Sequence, residues 1–147
     1  MQVSVLTTDS GVKEKLEKLS GGLLSYEEPL NDAGDDLIEF FGNENFNEQG
    51  AALDAPWKPL AMSTLQARAR RTGNYRSTPV SSSKILVWTG KLKSGFKKKV
   101  SAFKLIVSNT VEYFESQNKN RRMIGVNSAV TKIIVDHMST YIKKLLS

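Results

Sequence analysis

Chemistry at neutral pH needs groups that can hold a proton, a metal or a covalent bond, and this chain offers few. His137 is its one histidine, and it has no cysteine. Without cysteine there is no disulfide framework, no thiolate metal site and no thiol nucleophile. A transition-metal centre would rest almost wholly on carboxylates, which suit Mg or Ca instead. The compact carboxylate group Asp32, Asp35 and Asp36 lacks the ligand spacing of a calcium loop and reads as a solvated helix start. His137 falls beside Met138 and Tyr141 on an apolar helical stripe, the place of a packing histidine rather than a general base. Gly21-Gly22 is followed by Leu-Leu-Ser, with no Lys-Ser or Lys-Thr to make a phosphate loop. No Gly-x-Ser-x-Gly nucleophile elbow is present. The residues point to a protein that is not an enzyme and takes no cofactor or metal.

What remains is charge. The net value of +6 hides a split: residues 1–56 hold 12 acidic and 3 basic side chains, and residues 57–147 hold 3 acidic and 18 basic ones. Two readings stay open. Either the halves neutralise each other within one fold, or an acidic and a basic surface are made to meet a partner. On the second reading Asp32, Asp35, Asp36 and Glu39 face a basic surface of an adjacent copy. The candidate partner or DNA contacts are Arg68, Arg70, Arg71, Arg76, Lys97, Lys98 and Lys99. Contact with DNA would be to phosphates, without sequence reading.

The elements that must carry these residues follow from periodicity. A chain of 147 residues with 39% hydrophobic content forms a single domain with one modest core. No run approaches the roughly 20 apolar residues of a membrane span. Met1 to Ser10 has no basic start followed by an apolar run, so no signal peptide is expected. A short strand is predicted over Gln2–Thr7. A helix follows from Val12, with Leu16 and Leu19 at helical spacing and breaks at Gly21-Gly22 and Pro29. A second helix is predicted over Asp32–Phe41, with its three Asp residues in the first turn. Residues 42–55 read as a polar loop anchored by Phe46. Ser63 is the expected cap of a helix reaching Arg71.

Residues 73–83, rich in Gly, Asn, Pro, Ser and Thr, read as a long flexible loop that neighbours in an assembly would order. Ser82 or Ser83 then caps a helix whose face carries Ile85, Leu86, Thr89, Leu92 and Phe96, with Gly90 inside it. An interior glycine there implies that something packs close, the sheet or the last helix. Residues 97–108 read as a β-hairpin turning near Ser101-Ala102. Tyr113 and Phe114 begin a short helical piece. The last helix, Ser128–Leu146, is the clearest, with Val130, Ile133, Ile134, His137, Met138, Tyr141 and Leu145 on one face. Ser128 is its expected cap, and Lys143 and Lys144 suit its C-terminal end. The fold class is α+β: a small antiparallel β-sheet packed with several helices, including a long C-terminal one.

Four short motifs occur in order. Phe46 leads through a polar linker to Trp57-Lys58-Pro59-Leu60, with Thr64 shortly after. The Arg- and Ser-rich loop comes next. Ile85-Leu86-Val87-Trp88-Thr89-Gly90-Lys91-Leu92-Lys93-Ser94 follows. A strand pair then leads to Tyr113, to Arg121-Arg122-Met123-Ile124-Gly125 and to the terminal helix. This series, over about residues 46–147, resembles the tailed-phage virion-morphogenesis family, the tail-completion or head–tail joining proteins. The third motif is similar to the family's Ile-Leu-x-x-Thr-Gly-x-Leu-x-x-Ser. Two places depart from the pattern. Glu115-Ser116-Gln117-Asn118 stands where the family often has His-Gln-x-Gly, and Arg122-Met123 stands for Arg-Pro.

The resemblance implies a structural virion protein acting in tail completion or head–tail joining, as a neck or tail-terminator subunit. It implies a ring-like homo-oligomer, contact with other neck or tail proteins, and residence in the virion after assembly in host cytoplasm. The alternative is a basic module that binds nucleic acid non-specifically through phosphate contacts. The motif positions Trp57, Pro59, Leu60, Ile85, Leu86 and Leu92 are expected to be core.

Overall fold

The computed structural model describes residues 10–70, 84–87 and 90–147. The strand expected over Gln2–Thr7, the loop 73–83 and the residues Arg71, Arg76, Trp88 and Thr89 lie outside the described residues.

The fold is α+β, a two-stranded antiparallel hairpin packed with helices. Helix α1 (Ser10–Gly22) leads to α2 (Glu27–Glu39). Pro29 does not end a helix, as the sequence suggested; it sits buried in the first turn of α2. There its missing N–H has no intrahelical partner to lose. Glu27 and Glu28 are the first-turn acids, and Asp32, Asp35 and Asp36 lie mid-helix, which corrects the expected start.

The polar stretch after α2 is helical rather than a loop. The chain widens into a π turn over Phe40–Glu44, then forms α3 (Asn45–Asn47) and a 3₁₀ turn over Ala51–Leu53. The wider turn shifts side-chain phase, and Phe40, Phe41 and Phe46 are all buried. Helix α4 (Met62–Ala69) begins one residue before Ser63, with Ala61 as its cap position and no side-chain cap bond.

The predicted helix from residue 82 to Phe96 is not there. Leu86 has φ 58° and Gly90 has φ 73°, both in the left-handed region. A right-handed helix cannot run through either position. Among the described residues of this stretch only α5 (Lys91–Ser94) is helical, with Gly90 as its cap, and Phe96 opens strand β1.

Strands β1 (Phe96–Ser101) and β2 (Lys104–Asn109) pair from Phe96 opposite Asn109 to Ser101 opposite Lys104. Alternation puts Phe96, Val100, Leu105 and Val107 on the inner face, against α2. Gly34 of α2 lets the hairpin approach, since a Cβ there would lie 2.8 Å from Lys98 Cδ and 3.0 Å from Leu105 Cδ1. Helix α6 (Phe114–Asn120) and α7 (Ser128–Leu146) complete the chain. The cap of α7 is Asn127, not Ser128: its Oδ1 accepts the Val130 N–H at 3.1 Å.

Helix α7 packs on α2 and on the end of α1, where the Tyr141 hydroxyl donates to the Gly22 carbonyl at 3.2 Å. The centre of the molecule is Phe46, Leu53 and Met123, each fully buried.

Candidate interaction surfaces

The motif residues come together in space. Phe46 meets Trp57 edge to face at 5.1 Å, and Phe96 stands 6.4 Å from Phe46 and 5.8 Å from Phe114. Such pairs add about 1 kcal/mol each to the area they bury. Ile85 and Leu92 are buried in the same core, and Leu60 and Leu86 pack half-buried against it. The Gln49 side chain locks the third motif to the first: its Oε1 accepts the Ile85 N–H at 2.7 Å. Pro59 is exposed, contrary to its expected core role; it follows the exposed Lys58 in an irregular segment after Trp57. Thr64 is half-buried on α4, and Ser94 is exposed, its hydroxyl donating to the Gly90 carbonyl at 3.1 Å. Tyr113 caps α6 with its ring 45% exposed, and Gly125 is half-buried beside the Arg122 guanidinium.

The basic residues divide. Arg68 is buried, 8% exposed, and its Nη1 donates to the Lys84 carbonyl at 2.8 Å. It therefore joins α4 to the segment after the loop instead of facing a partner, because a buried guanidinium must satisfy its donors internally. Lys98 lies on the inner strand face and snorkels to the edge. Its Nζ is 2.6 Å from Asp35 Oδ2 and 2.7 Å from the Asn31 carbonyl. Arg70, Lys97 and Lys99 are exposed, the last two on the outer face of the hairpin.

The charge split is met partly within the subunit. Besides Asp35 and Lys98, Asp36 lies 2.7 Å from His137 Nε2, and Glu28 2.7 Å from Lys144 Nζ. The Glu28 hydrogen bond and charge hold the Lys144 ammonium above the usual lysine value. Asp35 and Asp36 are thus engaged inside the subunit; on the partner reading of the charge split they faced an adjacent copy. Each pair has at least one solvent-exposed partner and so contributes little. His137 is a half-buried packing residue tied to one carboxylate. Among the described residues, no group of three or more His, Asp or Glu side chains is placed to hold a metal.

Two concave surfaces stand out. An open apolar groove of about 420 Å³ runs between α2, the inner face of β2 and the start of α7. Leu37, Phe41, Leu105, Val107, Ile124 and Ile134 are among its lining residues. Val126, 71% exposed, stands at the same groove. A second cleft of about 440 Å³ lies between the segment at Trp57-Lys58 and the end of α6 through Arg122. Sequence reading had no signal for either, since each is assembled from distant segments.

No family model, no curated protein and no solved structure matches this chain.

Proposed function

We propose that this chain is a structural subunit of a tailed-phage virion, acting in tail completion or head–tail joining as part of a ring-like homo-oligomer with other neck or tail proteins. The reading rests on the four ordered motifs, with no whole-chain match behind them. The observation that supports it best is the open apolar groove, whose walls of Leu, Val, Ile and Phe stay uncovered in the single subunit. Apolar surface of this kind marks a place of association. The hairpin adds to this, since among the described residues neither strand has a further strand at its outer edge. Unpaired edges of that kind invite pairing with another chain.

The test is location. Antibody raised against the chain, applied to purified tailed particles and imaged by electron microscopy, is expected to label the neck or the tail. Intact particles that carry no label would overturn the assignment. The sedimentation of the purified chain should also exceed that of a 16.3 kDa monomer.

The second reading, a basic module contacting nucleic-acid phosphates, draws on the cleft beside Trp57.

A further inference from the structure

The cleft beside Trp57 gathers cations and no carboxylate. Lys58 enters from one side, and Lys119 and Arg121 from the other. Arg122 also forms part of the wall; its Nη2 donates to the Val126 carbonyl at 3.1 Å, which holds the group in place without cancelling its charge. The neighbouring acid, Asp54, is not among the lining residues, and its Oδ2 accepts from the Asn127 amide at 2.9 Å. Among the described residues Arg121 Nε is shielded from water without an acceptor, so a phosphate would reach Arg121 only through its terminal guanidinium nitrogens.

The walls are rigid. Trp57 Nε1 donates to the Arg122 carbonyl at 3.0 Å. Asn118 Oδ1 accepts the backbone N–H groups of Met123 and Ile124 at 2.8 and 3.3 Å. The cations therefore sit on backbone fixed from both sides. The C-terminal end of α6 offers them some relief, but a helix terminus carries only about half a unit of negative charge. Against three full positive charges that leaves a strongly electropositive concavity.

We propose that this cleft binds the phosphodiester backbone of nucleic acid, through Lys58, Lys119 and Arg121. Its volume of about 440 Å³ leaves room for a segment of backbone as well as for a single ion. Trp57 cannot serve as a stacking platform, because it is 7% exposed and packed on Phe46. Single-strand binders depend on such platforms. Binding here is through phosphates, independent of sequence, and fits duplex DNA. The inference does not rest on the virion reading: the cleft would act in the same way on a chain of any origin.

The experiment is fluorescence anisotropy of a labelled DNA duplex with the full-length protein, over a series of salt concentrations. Three phosphate contacts predict a log–log salt slope of about −2.7. Lys58→Gln with Lys119→Gln, both at exposed positions, should weaken binding on the order of tenfold at low salt and reduce the slope by about 1.8. Adding Arg121→Gln should remove about 0.9 more. The control is Lys104→Gln with Lys143→Gln, which removes the same charge from exposed positions that do not line the cleft and should leave affinity within about threefold. Equal weakening by both double variants would mean that net charge, not the cleft, attracts DNA, and would overturn the proposal. So would the absence of binding at low salt. Displacement of the duplex by inorganic phosphate at micromolar concentration would assign the cleft to a small phosphate compound instead, and tighter binding of polyglutamate would assign it to an acidic protein segment. Labelling of particles by antibody is unaffected by any of these results, so the two readings fail separately.

Discussion

Trp57 Nε1 lies 3.0 Å from the carbonyl oxygen of Arg122, a hydrogen bond between residues 65 positions apart. It ties the first motif to the fourth. The indole thereby does two jobs, filling the core with its ring and satisfying a backbone acceptor with its edge. Asn45 is the other donor nearby, its Nδ2 at 3.3 Å from the same oxygen. Trp57→Phe should keep most of the buried area but lose the donor. We expect a loss of about 1–2 kcal/mol in urea denaturation. Unchanged stability would show that Asn45 alone satisfies the Arg122 carbonyl.

Asn127 joins α7 to the 3₁₀ turn. Its Oδ1 caps the helix, and its Nδ2 donates to the Ala52 carbonyl and to Asp54 Oδ2, each at 2.9 Å. Asn127→Ala should cost about 1–3 kcal/mol, the sum of a lost cap and lost tertiary bonds. Asn127→Asp separates the two. It keeps the cap but brings a second carboxylate to Asp54, so it should fall between Asn and Ala at low pH and nearer Ala at neutral pH. Thermal melts at the two pH values check the ordering.

These tertiary ties explain what could be read in the sequence and what could not. The hairpin was legible because Val100, Leu105 and Val107 stand at strand spacing on either side of a short turn, although Lys98 and Ile106 break strict alternation. Helix α7 was legible because Val130 to Leu145 repeat at helical spacing. The region from Gly42 to Ala55 was misread as a loop because its helical turns bury Phe46 and Leu53 amid Asn, Glu and Gly. The buried Asn45 donates to the carbonyls of Arg122 and Met123, and no local pattern announces so distant a partner. Arg68 was misread for the same reason. Its charge suggests solvent, but its acceptor is the carbonyl of Lys84, beyond the loop. The cationic cleft is the extreme case, since Lys58 and Arg121 become neighbours only when Trp57 and Arg122 are bonded.

Gly34 tests the fit between α2 and the hairpin. A methyl group there would gain roughly 1 kcal/mol of helix propensity over glycine. It would also press on Lys98 and Leu105, both within 3.0 Å of the added carbon. Lys98 is flexible, but its ammonium is held by Asp35 and the Asn31 carbonyl. Overpacking of this kind costs about 1–3 kcal/mol. Gly34→Ala is therefore expected to be destabilising by about 1 kcal/mol net, and Gly34→Val by more. A raised melting temperature for the alanine variant would show that the hairpin can retreat without loss.

Gly90 poses a different question from the one its sequence suggested. An interior helical glycine is replaced by alanine with profit unless something packs against it. Among the described residues nothing lies within 4 Å of the Cβ that would be added, so no packing contact there decides. What decides is the backbone, since Gly90 holds φ 73° as the cap of α5. Its carbonyl accepts both the backbone N–H and the hydroxyl of Ser94, at 3.0 and 3.1 Å, so the turn depends on that conformation. A residue with a Cβ pays about 1–2 kcal/mol to occupy the left-handed region. Asparagine tolerates that region better than alanine despite its larger side chain. The expected order of stability is Gly90, then Gly90→Asn, then Gly90→Ala, with Gly90→Val lowest. An explanation by packing would instead rank the variants by size, placing alanine above asparagine. Urea denaturation of the variants distinguishes the two orders. An alanine variant more stable than both glycine and asparagine would mean that the segment from Ile85 to Leu92 takes up a right-handed helix after all.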